Sequence, residues 1–272
     1  MKAEIDGIEI DYSDEGSGLP VIFIHAFPMS RAMWDAQVAA LRGVCRVITL
    51  DLRGFGKSSV PEGPYSMDAM ASDVRALMAH LDIDGAVLVG LSMGGYVSFA
   101  FHRAYPDAVI ALVLADTRAS VDTHEGRERR FKSAEKAERE GAAAIASDME
   151  LVAFARSTVE GRKEILQRAR TIIEANSPAG IAAAQRGMAA RHDSTYTLIG
   201  IDCPTLILVG SEDALTPPSE AEAMRDGIPH ARLKVIEGAG HMSNLEQPEQ
   251  FNAALIEFIG SLEGRGGAIE QG

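Results

Sequence analysis

The sequence predicts an α/β protein: a mostly parallel central sheet flanked by helices, with one inserted helical segment. Short β-branched runs alternate with longer stretches of helical periodicity, the pattern of strands covered by helices. Several runs, such as Val21-Ile22-Phe23-Ile24 and Ala86-Val87-Leu88-Val89, are apolar without alternation, as strands buried on both faces are. From about Thr117 to Thr197 the strand signal stops, and Ala, Glu and Arg take over with helical spacing.

Each element follows in order. Residues 2–13 alternate in the manner of two antiparallel edge strands, and residues 21–24 form the first fully buried strand. A helix follows near 31–42, then a strand over 46–50. After a Gly-rich turn, Ser66 is suited to N-cap a helix, because its hydroxyl can accept from a first-turn N–H that has no intrahelical partner. Met67, Met70, Val74, Leu77, Met78 and Leu81 then recur at spacings of three and four and make one stripe that faces the sheet. A strand over 86–89, a helix over 94–104 and a strand over 109–115 come next. The inserted segment carries stripes such as Ile165, Leu166, Ala169, Ile172 and Ile173. The rhythm resumes with a strand over 204–209, a helix from about 218 and a strand over 232–236. Pro248 is placed to open a last helix, whose stripe is Phe251, Ala254, Leu255, Phe258 and Ile259. The chain thus divides into a core (residues 1–116 and 198–263), a helical cap (117–197) and a Gly-rich tail (264–272) expected to fray.

Bulk properties narrow the function. The 39 acidic and 26 basic side chains leave a formal charge of −13, which repels a phosphate backbone and argues against nucleic acid or an anionic membrane as partner. Cys45 and Cys203 sit in apolar runs without metal-ligand or redox spacing, so buried free thiols in a reducing cytoplasm are expected. The first residues lack the apolar core of a secretory signal. The longest uncharged stretch, 85–102, is broken by Gly90, Gly94 and Gly95, and it is read as strand, turn and helix instead of a membrane span.

The strongest local signal is Gly90-Leu91-Ser92-Met93-Gly94-Gly95, directly after a strand and opening a helix. A serine hydroxyl is a poor nucleophile unless it is exposed and deprotonated on demand. A sharp strand-to-helix turn exposes it, small residues two before and two after make the turn possible, and the helix N-terminus offers free N–H groups. Among seven histidines only His241 lies on a flexible loop just past a strand's C-terminal end, where ligands gather in open α/β sheets. His80 and His102 fall within helices, His124 and His192 in the cap, and His230 before a strand. Asp213, on the loop after residues 204–209, is placed to orient the imidazole, with Glu212 and Asp116 as rivals. Gly56-Lys57-Ser58 imitates the end of a phosphate-binding loop, but position 51 is Asp where that motif needs Gly. Gly54-Phe55-Gly56 fails as a dinucleotide fingerprint because its last glycine is replaced by Ser59.

The order Ser92, Asp213, His241, with His25-Ala26-Phe27-Pro28 after one strand and Asp51-Leu52-Arg53-Gly54-Phe55-Gly56-Lys57-Ser58 after the next, resembles the capped α/β-hydrolase superfamily. Within it the chain is most similar to small bacterial esterases and enol-lactonases. The resemblance implies an α/β-hydrolase fold, a Ser92–His241–Asp213 triad, and an oxyanion hole from the backbone N–H groups of Phe27 and Met93. It further implies acyl transfer to Ser92 with no metal or organic cofactor. A nucleophilic serine argues against the dehalogenases and epoxide hydrolases of this architecture, which place a carboxylate there. The family's usual His-Gly is His25-Ala26 here, adding a methyl where backbone approaches the substrate oxygen, and His25 is expected to support the hole structurally. Trp34, Phe154 and Met188, with Phe27 and Met93, are the candidate pocket residues for a small or medium uncharged ester or lactone. Lactone opening, carbon–carbon bond hydrolysis or peracid formation would use the same triad. A ligand-binding receptor with little turnover is the alternative of another class.

Overall fold

In chain order the strands are β1 (Lys2–Ile5), β2 (Ile8–Glu15), β3 (Pro20–Ile24), β4 (Arg46–Leu50), β5 (Ala86–Leu91), β6 (Val109–Ala115), β7 (Thr205–Gly210) and β8 (Arg232–Ile236). The computed structural model, which describes residues 1–266, joins them into one sheet in the order β1-β2-β4-β3-β5-β6-β7-β8. β1 pairs with β2, and β2 with β4, in antiparallel fashion, and every pairing from β4 to β8 is parallel. The helices are α1 (Asp35–Leu41), α2 (Met67–His80), α3 (Met93–Ala104), α4 (His124–Glu140), α5 (Ala142–Val152), α6 (Arg156–Gly161), α7 (Lys163–Glu174), α8 (Pro178–Ala189), α9 (Pro218–Gly227), α10 (Ser243–Glu246) and α11 (Pro248–Gly266). Among the described residues none is long and apolar enough to cross a membrane.

Alternation along each strand sorts the core into two layers. Ile22, Ile24, Ile48, Leu88, Leu112 and Ile207 face the side covered by α2 and α3, where Met70, Val74, Met78 and Val97 pack on them. Val21, Phe23, Val47, Val87, Val113 and Leu208 face the other side, against Trp34, Leu41, Phe251 and Leu255. α2 forms as the sequence implies. Ser66 Oγ accepts from Ala69 N–H at 3.0 Å, and the stripe from Met67 to Met78 is buried, with Leu81 just past the helix half-buried.

Differences from the sequence reading are local. β2 runs on to Glu15 because its polar end pairs with β4, and Asp14 there takes a bidentate ion pair from Arg46. β8 is an edge strand in the sheet, its Arg232 exposed and Lys234 outward. A 3₁₀ turn over Thr195–Gly200 straddles the expected end of the cap at 197. α11 continues to Gly266, so residues 264–266 of the expected tail are helical, and residues 267–272 lie outside the described residues.

The segment between β6 and β7 contains α4 to α8 and no strand. It is tied to the sheet's C-terminal rim by backbone approach and by Asn176. The bare Cα of Gly180 lies against the Gly54 carbonyl, with a hypothetical Cβ only 2.0 Å from it. Asn176 donates to Pro28 O at 2.7 Å and accepts from Gly56 N–H at 2.7 Å.

Candidate active site

The loops after β3, β5, β7 and β8 open at one rim, where the parallel strands end. Ser92 follows β5 with φ 54° and ψ −110°, a left-handed conformation forced by the sharp strand-to-helix turn. The residues two before and two after it must be glycine. A Cβ on Gly90 would sit 2.3 Å from Gly94 O, and one on Gly94 would sit 2.1 Å from Ile24 O. Thr117 Oγ1 donates to Ser92 O at 2.8 Å, and Ser92 N–H donates to Ala115 O at 2.9 Å, so the turn is pinned to the next strand.

His241 and Asp213 come from the loops after β8 and β7. Ser92 Oγ donates to His241 Nε2 at 2.8 Å, and His241 Nδ1–H donates to Asp213 Oδ2 at 2.8 Å. Asp213 is fixed in turn by Leu215 and Thr216 N–H on Oδ1, at 2.8 and 2.9 Å, and by the Thr216 hydroxyl on Oδ2 at 2.7 Å. Burial works against the charged forms of both residues. Their mutual attraction outweighs it, raising the His241 pKa above its ordinary 6.5 and lowering that of Asp213.

The rival groups are engaged elsewhere. Asp116 accepts from Gly210 N–H at 2.8 Å and from the Ser243 hydroxyl, and burial, then the charge of Asp213, pushes its carboxyl strongly toward the neutral form. Glu212 accepts from Arg156 N–H at 3.4 Å. His25 has both ring nitrogens committed: Nδ1–H donates to Ala26 O at 2.9 Å and Nε2 accepts from Leu52 N–H at 3.1 Å. Its burial lowers the pKa to about 4 and keeps the ring neutral.

A cavity of about 580 Å³ stands over Ser92 and His241, walled by Phe27, Tyr96, Met149, Met188 and Leu215 on its apolar parts. Phe27, on the loop after β3, lines it; Met93 opens α3 directly after Ser92, where first-turn N–H groups lack intrahelical acceptors, but its side chain is fully buried in the core and does not line the cavity. Of the three further pocket candidates, only Met188 reaches this space. Trp34 does not: the 3₁₀ turn at Arg31–Trp34 carries its ring into the lower core, 5.1 Å from Phe23 and 6.1 Å from Phe251. Phe154 does not either, because its backbone packs beneath Gly240 and its side chain joins the lower core cluster. The Ala26 methyl is likewise fully buried among Met29, Met33 and Phe23, away from the cavity.

Sequence reasoning missed Thr216 and Glu246. Thr216 stands three residues after Asp213, the spacing at which a hydroxyl and an N–H fold back onto an Asp side chain, so its signal was present. Glu246 is fully buried, accepts from Gly240 N–H and Ala155 N–H at 2.8 Å each, and so ties the His241 loop to the inserted segment. Nothing in its local sequence marks it.

Comparison with known proteins matches this architecture. The model of the alpha/beta hydrolase fold family covers residues 20–248. A thermophilic esterase from Thermogutta terrifontis, solved with malate bound, superposes with a TM-score of 0.93 at 44% identity, covering 96% of this chain and 98% of that one. The 3-oxoadipate enol-lactonase 2 of Acinetobacter baylyi is 31% identical over 86% of each chain. A non-heme haloperoxidase of Rhodococcus erythropolis is 33% identical over 94% of this chain and 97% of its own. The fold, the matched family model and these relatives together establish that the chain belongs to the α/β-hydrolase family, in its enol-lactonase-like branch.

Proposed function

We propose that the chain is a carboxylic-ester hydrolase working through an acyl-enzyme on Ser92. The observation that carries this is the unbroken hydrogen-bond relay from Ser92 Oγ through His241 to Asp213. Ser92 Oγ attacks the ester carbonyl carbon while its proton passes to His241 Nε2. The carbonyl oxygen becomes an oxyanion facing the N–H groups of Phe27 and Met93, and loss of one such donor costs a factor of about 10²–10³. Asp213 stabilises the imidazolium. The acyl–oxygen bond then breaks, the imidazolium protonates the leaving alcohol, and His241 draws a proton from water as it attacks the acyl carbon. Ser92 leaves with its proton restored, so atoms and charge balance over the cycle.

Opening of a lactone is the second reading, favoured by the enol-lactonase relative and requiring the same steps with the alcohol still tethered to the acyl group. Turnover of 4-nitrophenyl acetate and butyrate tests the first. The expected result is steady hydrolysis that Ser92→Ala and His241→Ala each remove. Absence of both burst and steady rate in the native protein overturns it.

A further inference from the structure

The cavity over Ser92 carries a charge that ester cleavage does not use. Arg118, Arg129 and Arg130 line it with a single acid, Asp122, in a chain of formal charge −13. Asp122 is already saturated: its carboxylate accepts from Arg118, Arg130 and Arg191. Burial works against its charge, yet the hydrogen bonds and charges of Arg130 and Arg191 outweigh it and hold the carboxyl well below the usual range. One negative charge is therefore shared by three guanidinium groups. Glu220, the other nearby acid, accepts from the Ser120 hydroxyl at 3.2 Å and acts on Arg118 through its charge at longer range, without an ion pair to these arginines among the described residues.

The four arginines are not equivalent. Arg130 is braced by Gln185 Oε1 at 3.1 Å and Arg191 by Ser120 O at 2.8 Å, so both are held as structure. Arg118 gives one nitrogen to Asp122, also interacts with the Tyr96 hydroxyl, and keeps a buried Nε without an acceptor among the described residues. Arg129, exposed on α4 at the cavity wall, has neither an ion pair nor a hydrogen bond among the described residues.

We infer that the substrate carries a carboxylate apart from the bond that is cleaved, and that Arg129 and Arg118 receive it. The inference rests on Ser92 being the nucleophile, because it places that carboxylate in the cavity Ser92 shares. A guanidinium suits a carboxylate by its planar fork of donors, and at the half-buried Arg118, though not at the exposed Arg129, partial exclusion of water strengthens the pairing. The apolar wall of Phe27, Met149, Met188 and Leu215 covers the carbon chain between the two ends. This replaces the uncharged substrate that the sequence suggested with an anionic one.

Two matched ester pairs test it. Mono-4-nitrophenyl glutarate against 4-nitrophenyl valerate puts the charge on the acyl side, and 4-acetoxybenzoate against 4-acetoxybenzamide puts it on the leaving group. The readout is the charged-to-neutral ratio of kcat/KM within each pair, corrected for uncatalysed hydrolysis. The expected ratio favours the charged ester about tenfold or more in at least one pair. It falls severalfold in Arg129→Gln, is largely kept in Arg129→Lys, inverts in Arg129→Glu, and declines in about 0.5 M NaCl. Turnover without a charge preference in either pair, or with a preference untouched by Arg129→Glu and salt, overturns the inference alone. No turnover of any of the four esters overturns the Ser92 reading and the inference with it.

Discussion

Truncating Glu246 to alanine should destabilise the fold and slow catalysis together. Its carboxylate is fully buried and accepts two backbone N–H groups, Gly240 and Ala155, at 2.8 Å each. Removing it strands both donors in a space closed to water, and each stranded donor costs about 1–3 kcal/mol. The sum, about 2–6 kcal/mol, is a large share of the roughly 5–15 kcal/mol that holds a typical domain together. At about 2–4 °C per kcal/mol for a chain near this size, the melting temperature should fall by roughly 4–24 °C. Gly240 immediately precedes His241, so the freed loop should also lower kcat, since a base must hold its geometry to within fractions of an ångström. Glu246→Gln keeps one acceptor but turns an NH₂ toward the other donor, and it should fall between wild type and Glu246→Ala. Thermal unfolding followed by circular dichroism, with kcat/KM on 4-nitrophenyl butyrate, reads both effects. Both variants unfolding within a degree or two of wild type, at unchanged kcat, would refute the claim that this carboxylate clamps the His241 loop.

Further predictions follow from the same geometry. His241 accepts a proton only when neutral and its pKa lies above 6.5, so kcat/KM should rise with pH through a midpoint above that value and level off. Asp213→Asn removes the charge that raises this pKa while leaving the burial that lowers it. The midpoint should move to lower pH and the plateau should drop by about 10⁴, and a pH–rate profile of each protein checks the sign. Gly94→Ala forces a methyl to within 2.1 Å of Ile24 O, backbone that cannot rotate away, and should cost about 1–3 kcal/mol or prevent folding. Yield and denaturant midpoint report it. Ala26→Gly removes a buried methyl at about 0.8 kcal/mol and adds backbone freedom of about 0.5–1 kcal/mol. It should lower stability and leave kcat within a fewfold, because the methyl points into the core.

Much of this was legible in the sequence where one chemical demand dominates. Runs such as Arg46–Leu50 and Val109–Ala115 match their strands because a sheet covered on both faces accepts little besides β-branched and apolar residues. Ser66 marked the start of α2 because a hydroxyl at that point satisfies a donor that the helix leaves over. The glycines around Ser92 announced a turn that larger side chains would block. Trp34 and Phe154 were misplaced for the complementary reason: an aromatic ring near a loop serves a core or a cavity equally well, and only the direction of the short 3₁₀ turn, or the packing under Gly240, decides. The arginines over Ser92 gave no signal at all. Arg118, Arg129, Arg130 and Arg191 stand among many charges in the inserted segment, and the sharing of Asp122 by Arg118, Arg130 and Arg191 exists only once α4 and the end of α8 are packed together.

The central claim is that one serine, Ser92, carries the acyl group. Incubation with diethyl 4-nitrophenyl phosphate followed by mass spectrometry of the intact protein and its peptides tests it directly. The account predicts a single phosphoryl adduct on Ser92, hydrolysis lost in step with its formation, and no adduct on Ser92→Ala. An adduct on another residue that tracks the loss, or turnover that survives full modification of Ser92, would contradict it.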